Sequence, residues 1–342
     1  VVESPEVFIG RCEGCGMSLG VRQIARQLSA AVAGAARHST LHEQQMLLLG
    51  QIAARQNAGL ERVVTLADAE FRVFSQNGED GIIDWLVGLA PGIPERFIEF
   101  GVESYTESNT RFLLRNRNWR GMVIDGSAEN IDRIRADEIS WQHDLTAVAS
   151  FITAENIESL IADAGFAGEL GILSVDIDGN DYWVWQAIGN ASPWLVIAEY
   201  NAVFGDLHPL SVPYRPDFAR TRADSSNLYF GASAKALQHL AASKGYACLG
   251  SNRAGNNLFF AREDIAAGMV SRIDDPRPRP SRFRESRDAH GQLSHLGGMA
   301  RTERIGALPV VDVVSGNQMP LQSIDGLFSD EWLAEMRGDG AR

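Results

Sequence analysis

The sequence predicts an α/β fold: a mostly parallel sheet with helices on both faces, carrying a helical N-terminal extension and an Arg/Pro-rich C-terminal one. Three observations predict it. From about Glu70 to Arg262, short apolar runs alternate with helix-patterned segments, as a parallel sheet covered on both faces requires. Residues Arg96 to Asn130 hold a buried strand, FIEF, then a small-residue turn, a helix and a second buried strand, MVID, which is the front half of a nucleotide-binding unit. Two acids, Glu99 and Asp125, mark the strand ends.

A chain of 342 residues is long for one domain and short for two full ones, so one α/β core with additions is expected. The expected boundaries are 1–65 for the helical extension, 66–265 for the core and 266–342 for the C-terminal extension. At 45% apolar and 22% charged the composition supports a sizeable core. A net charge of -13 argues against a general binder of nucleic acid or anionic membranes. No apolar run approaches the length of a membrane-spanning helix. No signal-peptide pattern is visible at Val1, and three cysteines make no disulfide framework, so a cytoplasmic location is expected.

In chain order, Val21, Ile24, Leu28 and Val32 recur at helical spacing. Thr40 and Glu43 then make a capping-box start for a second helix, apolar through Met46, Leu47, Leu49 and Ile52. Such a pair outside the core suits packing on the core or a homodimer contact, and the dimer is the expectation. Cys12 and Cys15 form a C-x-x-C, but zinc needs four ligands, and His38 and His42 lie on a separate stretch. The loop Ser75 to Gly78 precedes a helix opening on Glu79 and Asp80, where acids suit the helix dipole. Capping explains those acids and leaves Gln76 available to the cofactor. The remaining strands are read as Ile139 to His143, GILSVDID, WLVIAEY and a closing pair, YACLG and NNLFFA, that can run antiparallel. NLYFGAS and SNRAGNN offer Tyr229, Asn252 and Asn256 to a sugar-sized pocket, although turn chemistry also selects Asn and Gly. After Asp264 comes the segment IDDPRPRPSRFRESRDAHG, then GALPVVDV as one isolated strand and a short helix around Trp332. The arginines suit either a salt-bridged surface or a flap whose Arg282, Arg284 or Arg287 fork onto a phosphate or carboxylate of the substrate.

The turn after Glu99 is wrong for a dinucleotide. A pyrophosphate loop needs Gly-x-Gly-x-x-Gly, whereas Gly101 is followed here by Val102, Glu103, Ser104 and Tyr105. Glu103 would repel a pyrophosphate, so the loop favours an adenosine cofactor without phosphates, of which S-adenosyl-L-methionine is the common one. The missing glycines disfavour a nicotinamide oxidoreductase.

Asp176 and Asp178 end the fourth strand, and Glu199 and Asn201 end the fifth, each pair two apart and so on a shared face. Parallel neighbours end at one edge, which brings both pairs beside the cofactor. Three readings stand. The oxygens hold a hard divalent cation, Mg2+ or Mn2+, with Asp176, Glu199 and Asn201 as ligands. Alternatively crowded carboxylates act as a metal-free base, with Asp178 and the loop residue His208 as catalytic candidates. In the third they cap and solvate.

Four segments in order resemble the FkbM-type branch of S-adenosylmethionine-dependent methyltransferases. They are SQNGED, FIEFGVESYTESNT, NWRGMVIDGSAENI and VDIDGNDYW, and the resemblance spans roughly Phe74 to Ala261. It implies a class I Rossmann-like fold and methylation of hydroxyls on sugars, glycans or secondary metabolites. Residue by residue it implies that Glu99 and Gly101 border the methionine part, Asp125 holds the ribose and Asp144, after the third strand, lies near the adenine. With Gln76, Asn109 and Ser127 these complete the expected cofactor-binding set. The four acid and amide positions also resemble metal-dependent O-methyltransferases, except that Tyr200 separates Glu199 from Asn201 here. The expectation is an O-methyltransferase acting on a small-molecule or saccharide acceptor. The alternative is a non-catalytic carbohydrate- or metabolite-binding partner that keeps the fold.

Overall fold

The computed structural model describes residues 41–338. The chain divides into two compact units, 1–48 and 49–342, and residues 41–57 are helical. The first of the two expected helices, and with it that half of the pair expected to make the dimer contact, lies outside the described residues, as do Cys12, Cys15 and His38.

The main sheet is built from β1 (Arg96–Phe100), β2 (Arg120–Asp125), β3 (Leu145–Ala149), β4 (Gly168–Val175), β5 (Ala191–Glu199), β7 (Tyr246–Ser251) and β8 (Asn257–Arg262). β6 (Leu210–Ser211), β9 (Pro309–Asp312) and β10 (Gln318–Pro320) form a second, antiparallel sheet. The main sheet runs β3-β2-β1-β4-β5-β8-β7. Its first five strands are parallel, and β8 lies antiparallel between β5 and β7. This is the Rossmann-like sheet of class I methyltransferases, with the expected closing hairpin. Strand order reverses at β1, whose neighbours are β2 and β4, and ligands of such sheets sit at that switch point, beyond the strands' carboxyl ends.

Side-chain alternation explains the two-faced core. Ile98 and Phe100 of β1 pack with Ile124, Leu173 and Val196 in one cluster, whereas Phe97 packs with Val123, Ile172 and Leu195 in another. The helices Glu79–Gly88 and Asp181–Ala187 contribute Trp85 to the second cluster and Trp185 to the first. A third cluster joins Phe204, Leu210 and Phe230 to Val310 and Leu321, so residues of the C-terminal extension share a core with loops that follow β5.

Three expectations are corrected. Residues Ile139–Gln142 are helical, not a strand, because the Asp137 side chain accepts from the Ile139 backbone at 2.8 Å and starts a turn. The third strand therefore begins at Leu145, and Asp144 precedes it. GALPVVDV is not isolated: β9 pairs with both β6 and β10. The helix around Trp332 does form, as Asp330–Arg337, with Ser329 accepting from the Trp332 backbone. Among the described residues no helix is long and apolar enough to cross a membrane.

Sheet packing leaves no room at Gly121, where an added Cβ would lie 2.1 Å from the Phe97 ring. Gly121→Ala is expected to destabilise the fold by about 1–3 kcal/mol through overpacking, read as a lower urea midpoint; an unchanged midpoint would show that the ring yields freely.

Candidate active site

The switch point is a backbone crossing that tolerates only glycine. Gly101 has φ +69°, and a Cβ there would lie 1.8 Å from the Asp176 carbonyl oxygen, so the chain leaving β1 and the chain leaving β4 touch directly. Glu103 and Tyr105 follow with φ of 47° and 61°, a conformation unfavourable for residues with a Cβ. Buried carboxylates hold this backbone in place. Glu99 accepts from the Asn109 and Thr110 backbones (2.7 and 3.0 Å) and from the Thr110 hydroxyl (2.5 Å). Asp125 Oδ2 accepts from the Glu103 backbone at 2.8 Å, while Oδ1 accepts from the Ser127 backbone and the Asn130 amide (2.8 and 3.1 Å).

The same device recurs twice around the cleft. Asp80 Oδ2 gathers the Val73, Phe74 and Ser75 backbones at 2.7, 2.7 and 2.8 Å. Asp181 accepts from Ile177 and Gly179 at 2.8 and 2.9 Å, closing the turn that carries Asp176 and Asp178. Glu79 reaches across to the amides of Asn252 and Asn257 (2.6 and 3.0 Å). The acids at this helix start thus tie loops together, which is more than dipole compensation.

Three adjoining cavities run along the carboxyl edge. One of about 220 Å³ lies beyond β2 and β3, lined by Asp125, Ile124, Phe151, Ile152 and Phe218. A second, of about 210 Å³, shares Gly101, Glu103, Asp176 and Asp178 with it and adds Gln76, Glu99 and Asn109. A third, of about 120 Å³, shares Gln76, Glu199 and Arg220 with the second and is closed by Phe230, Asn256, Phe283 and Arg301.

Asp176, Asp178 and Glu199 meet where these cavities join, with one carboxylate oxygen of each within 4.8 Å of the others. Burial, then repulsion from neighbouring carboxylates, holds Asp176 and Glu199 well above the usual carboxylate range. Glu199 Oε2 is buried without a hydrogen-bond partner. Arg220 donates to Asp178 at 2.6 Å and stacks on Phe230, 3.9 Å from the ring centre. Burial works to lower its pKa, but Asp178 and Glu199 outweigh that and keep it raised.

The structure therefore gathers Gln76, Glu99, Gly101, Asn109, Asp125, Asp176, Asp178 and Glu199 along one cleft. Asn201 is not brought into the acid group. Its amide nitrogen donates to the Leu228 and Phe230 carbonyls and its oxygen accepts from Val203, so it braces a loop. His208 does not line the cleft; it bonds the Asp325 carbonyl at 3.1 Å, near the second sheet. Asp144 sits at the amino end of β3, paired with Arg120 at 3.3 Å, because the strand begins after it. Ser127 caps the helix Ala128–Ala136 by accepting from Asn130. Tyr229 donates to the Pro309 carbonyl and Asn252 is held by Glu79, while Asn256 does line the third cavity. Phe151, Phe218, Arg220, Phe230 and Arg301 were not legible as site residues: each lies in a loop, a short helix or the C-terminal extension that only tertiary packing brings to the edge.

The chain matches no protein-family model, and no curated protein matches it. Similar solved structures include an O-methyltransferase from Bacillus cereus in complex with SAH, at 14% identity over 64% of this chain and 91% of that one, TM-score 0.36. The N-terminal domain of EvdMO1 with SAH bound is 12% identical over 62% and 96%, TM-score 0.36. The CurJ carbon methyltransferase is 9% identical over 54% of each chain, TM-score 0.35, so this chain spans about half its length. Likenesses this weak carry no argument, and the fold stands on strand order and direction.

The buried acids make stability depend on pH. Burial raises Glu99 to about 7 and Asp80 and Asp181 to about 6, against the hydrogen bonds that work to lower them. The folded chain thus holds protons that the unfolded chain has lost, and stability falls as pH rises through roughly 4 to 7. Exposed acids paired with arginine, such as Asp264, have lowered values and act below that window. The thermal midpoint is expected to be higher near about pH 5.5 than near about pH 8, and Glu199→Gln should shrink the difference; equal slopes would remove Glu199 from the account.

Proposed function

We propose that the protein is an FkbM-type, S-adenosylmethionine-dependent O-methyltransferase acting on a hydroxyl of a sugar, glycan or related metabolite. One observation carries the reading: an adenosine-type cleft, with an acid at the end of β2 and Glu103 in place of phosphate-binding glycines, opens onto a buried carboxylate, Glu199, that lacks a partner. The residues present fit the cofactor. Asp125 Oδ2 has a single donor and keeps a lone pair for a ribose hydroxyl. Phe151, Ile152 and Phe218 supply apolar walls for an adenine, and Glu103 disfavours a pyrophosphate.

When bound, the cofactor supplies an electrophilic methyl on a positively charged sulfur. The rest falls to the chain. Glu199, with its raised affinity for a proton, takes the proton of the acceptor hydroxyl as that oxygen forms its new bond to carbon and the carbon–sulfur bond breaks. Arg220 neutralises Asp178, so the proton is taken by the unpaired acids, and the walls of the third cavity orient the hydroxyl. The catalytic role expected of Asp178 or His208 thus passes to Glu199.

A second reading has one observation in its favour. The oxygens of Asp176, Asp178 and Glu199 form a hard donor set, and Glu199 Oε2 is free to serve it. Those three residues would hold Mg2+ or Mn2+, which lowers the pKa of a bound hydroxyl. Asn201 takes no part.

Calorimetric titration should find SAH binding that Asp125→Ala weakens; tight NAD binding without SAH binding would sink the proposal. With a saccharide panel, Glu199→Gln is expected to lower turnover by about 10²–10⁴ while sparing SAH affinity. Turnover that survives exhaustive chelation supports the base reading, and loss restored by Mg2+ supports the metal.

A further inference from the structure

We infer that the C-terminal extension holds a binding site for an oxyanion, and that the methylated acceptor is an acidic saccharide, a sugar phosphate or a sugar acid. The acceptor half rests on the methyl-transfer reading; the anion site does not.

In this acidic chain several arginines are held by a carboxylate: Arg117 with Asp84, Arg220 with Asp178, Arg262 with Glu169 and Asp264, Arg279 with Asp275 and Glu335. Three that face one cavity of about 450 Å³ have none: Arg282, Arg284 and Arg301. Arg301 is only 5% exposed. Its two terminal nitrogens donate to the Phe283 and Ser281 carbonyls at 2.9 and 3.0 Å, and its Nε is buried without a partner. Burial pushes its pKa down, with no carboxylate to oppose it. Arg284 donates only to the His295 carbonyl, at 3.1 and 2.8 Å. The Arg282 side chain has no hydrogen-bond or ion-pair partner among the described residues. Glu335, the carboxylate at this cavity, is held by Arg279 at 2.9 Å.

A buried guanidinium without a counter-charge is costly. In a chain of net charge -13, one such group, Arg301, at a cavity that the exposed Arg282 and Arg284 also face without a carboxylate, points to an anion from outside as the missing partner. The planar forks of arginine match the paired oxygens of phosphate and carboxylate. Arg287, the third arginine expected of a flap, is paired with Glu285 and takes no part.

The position of this site connects it to the acceptor. Ser281, Phe283 and Arg301 line both this cavity and the one beside Glu199. Phe283 is 42% exposed and offers a flat apolar face on which a sugar ring can lie. An acceptor whose oxyanion sits among the arginines and whose ring crosses Phe283 enters the cavity that Glu199 lines.

The test uses the full chain and Arg282→Ala/Arg284→Ala, whose side chains lie outside the cofactor cleft. At constant ionic strength, inorganic phosphate and acetate are compared with chloride for stabilisation against heat, and glucose 6-phosphate, glucuronate and glucose for binding. The original chain should be stabilised by phosphate or acetate and bind a charged sugar about tenfold or more tighter than glucose, with the double variant losing that preference. Whichever anion is stronger identifies the group. Equal behaviour of chain and variant, or no anion effect in the original chain, overturns the site. An SAH titration alongside separates the two failures: anion binding without SAH binding sinks methyl transfer and leaves the site, whereas SAH binding without anion preference does the reverse.

Discussion

Negative charge buried at the carboxyl edge of the sheet is the constraint on which the rest of the molecule depends. Glu99, Asp176, Asp181 and Glu199 share a region from which water is largely removed, and the first three each raise the proton affinity of a neighbouring carboxylate. Charge of that density is tolerable only if donors surround it. The chain supplies backbone N–H groups to Glu99, Asp80, Asp125 and Asp181, and one guanidinium to Asp178. The loops of the cleft take their shapes from these bonds. Where donors are missing, at Glu199 Oε2, the charge remains available for chemistry.

This arrangement links positioning to reactivity. The crossing of Gly101 over the Asp176 carbonyl leaves no slack between the loop after β1 and the acid group. Asp181 closes the turn beneath Asp176 and Asp178, and Arg220 is held in turn by the Phe230 face and the Asn227 carbonyl. The acid group therefore sits on a rigid frame in which protons, rather than side chains, are free to move. Electrostatic strain is retained at the site and offset elsewhere by two well-packed layers of apolar side chains.

The C-terminal extension shows the opposite imbalance. It contributes a short β-sheet whose apolar residues share a core with loops after β5, and it sets Phe283 and Arg301 against the cavity beside Glu199. Unpaired positive charge there faces buried negative charge across a cavity wall. The two halves of the site are thus complementary in what they lack.

Much of this was legible in the chain itself. Short continuous apolar runs located β1, β2, β4, β5 and the closing hairpin, because each is a strand buried on both faces. The acids at 99, 125, 176 and 199 were identifiable as cleft residues because parallel strands end at one edge, wherever their loops lead. The errors arose where local signals compete. Ile139–His143 carries β-type residues, but Asp137 caps a turn ahead of it, which moved the strand and left Asp144 at the wrong end. Alternation put Asn201 beside Glu199, but it fails once a strand stops, and the Leu228 and Phe230 carbonyls captured that amide. Sequence alone determined the sheet, its edge and the residue types of the loop after β1, since these follow from periodicity and from which residues permit a close approach. Tertiary structure decided which acid lacks a partner and which arginines lack a carboxylate, because counter-charges come from loops far apart in the chain.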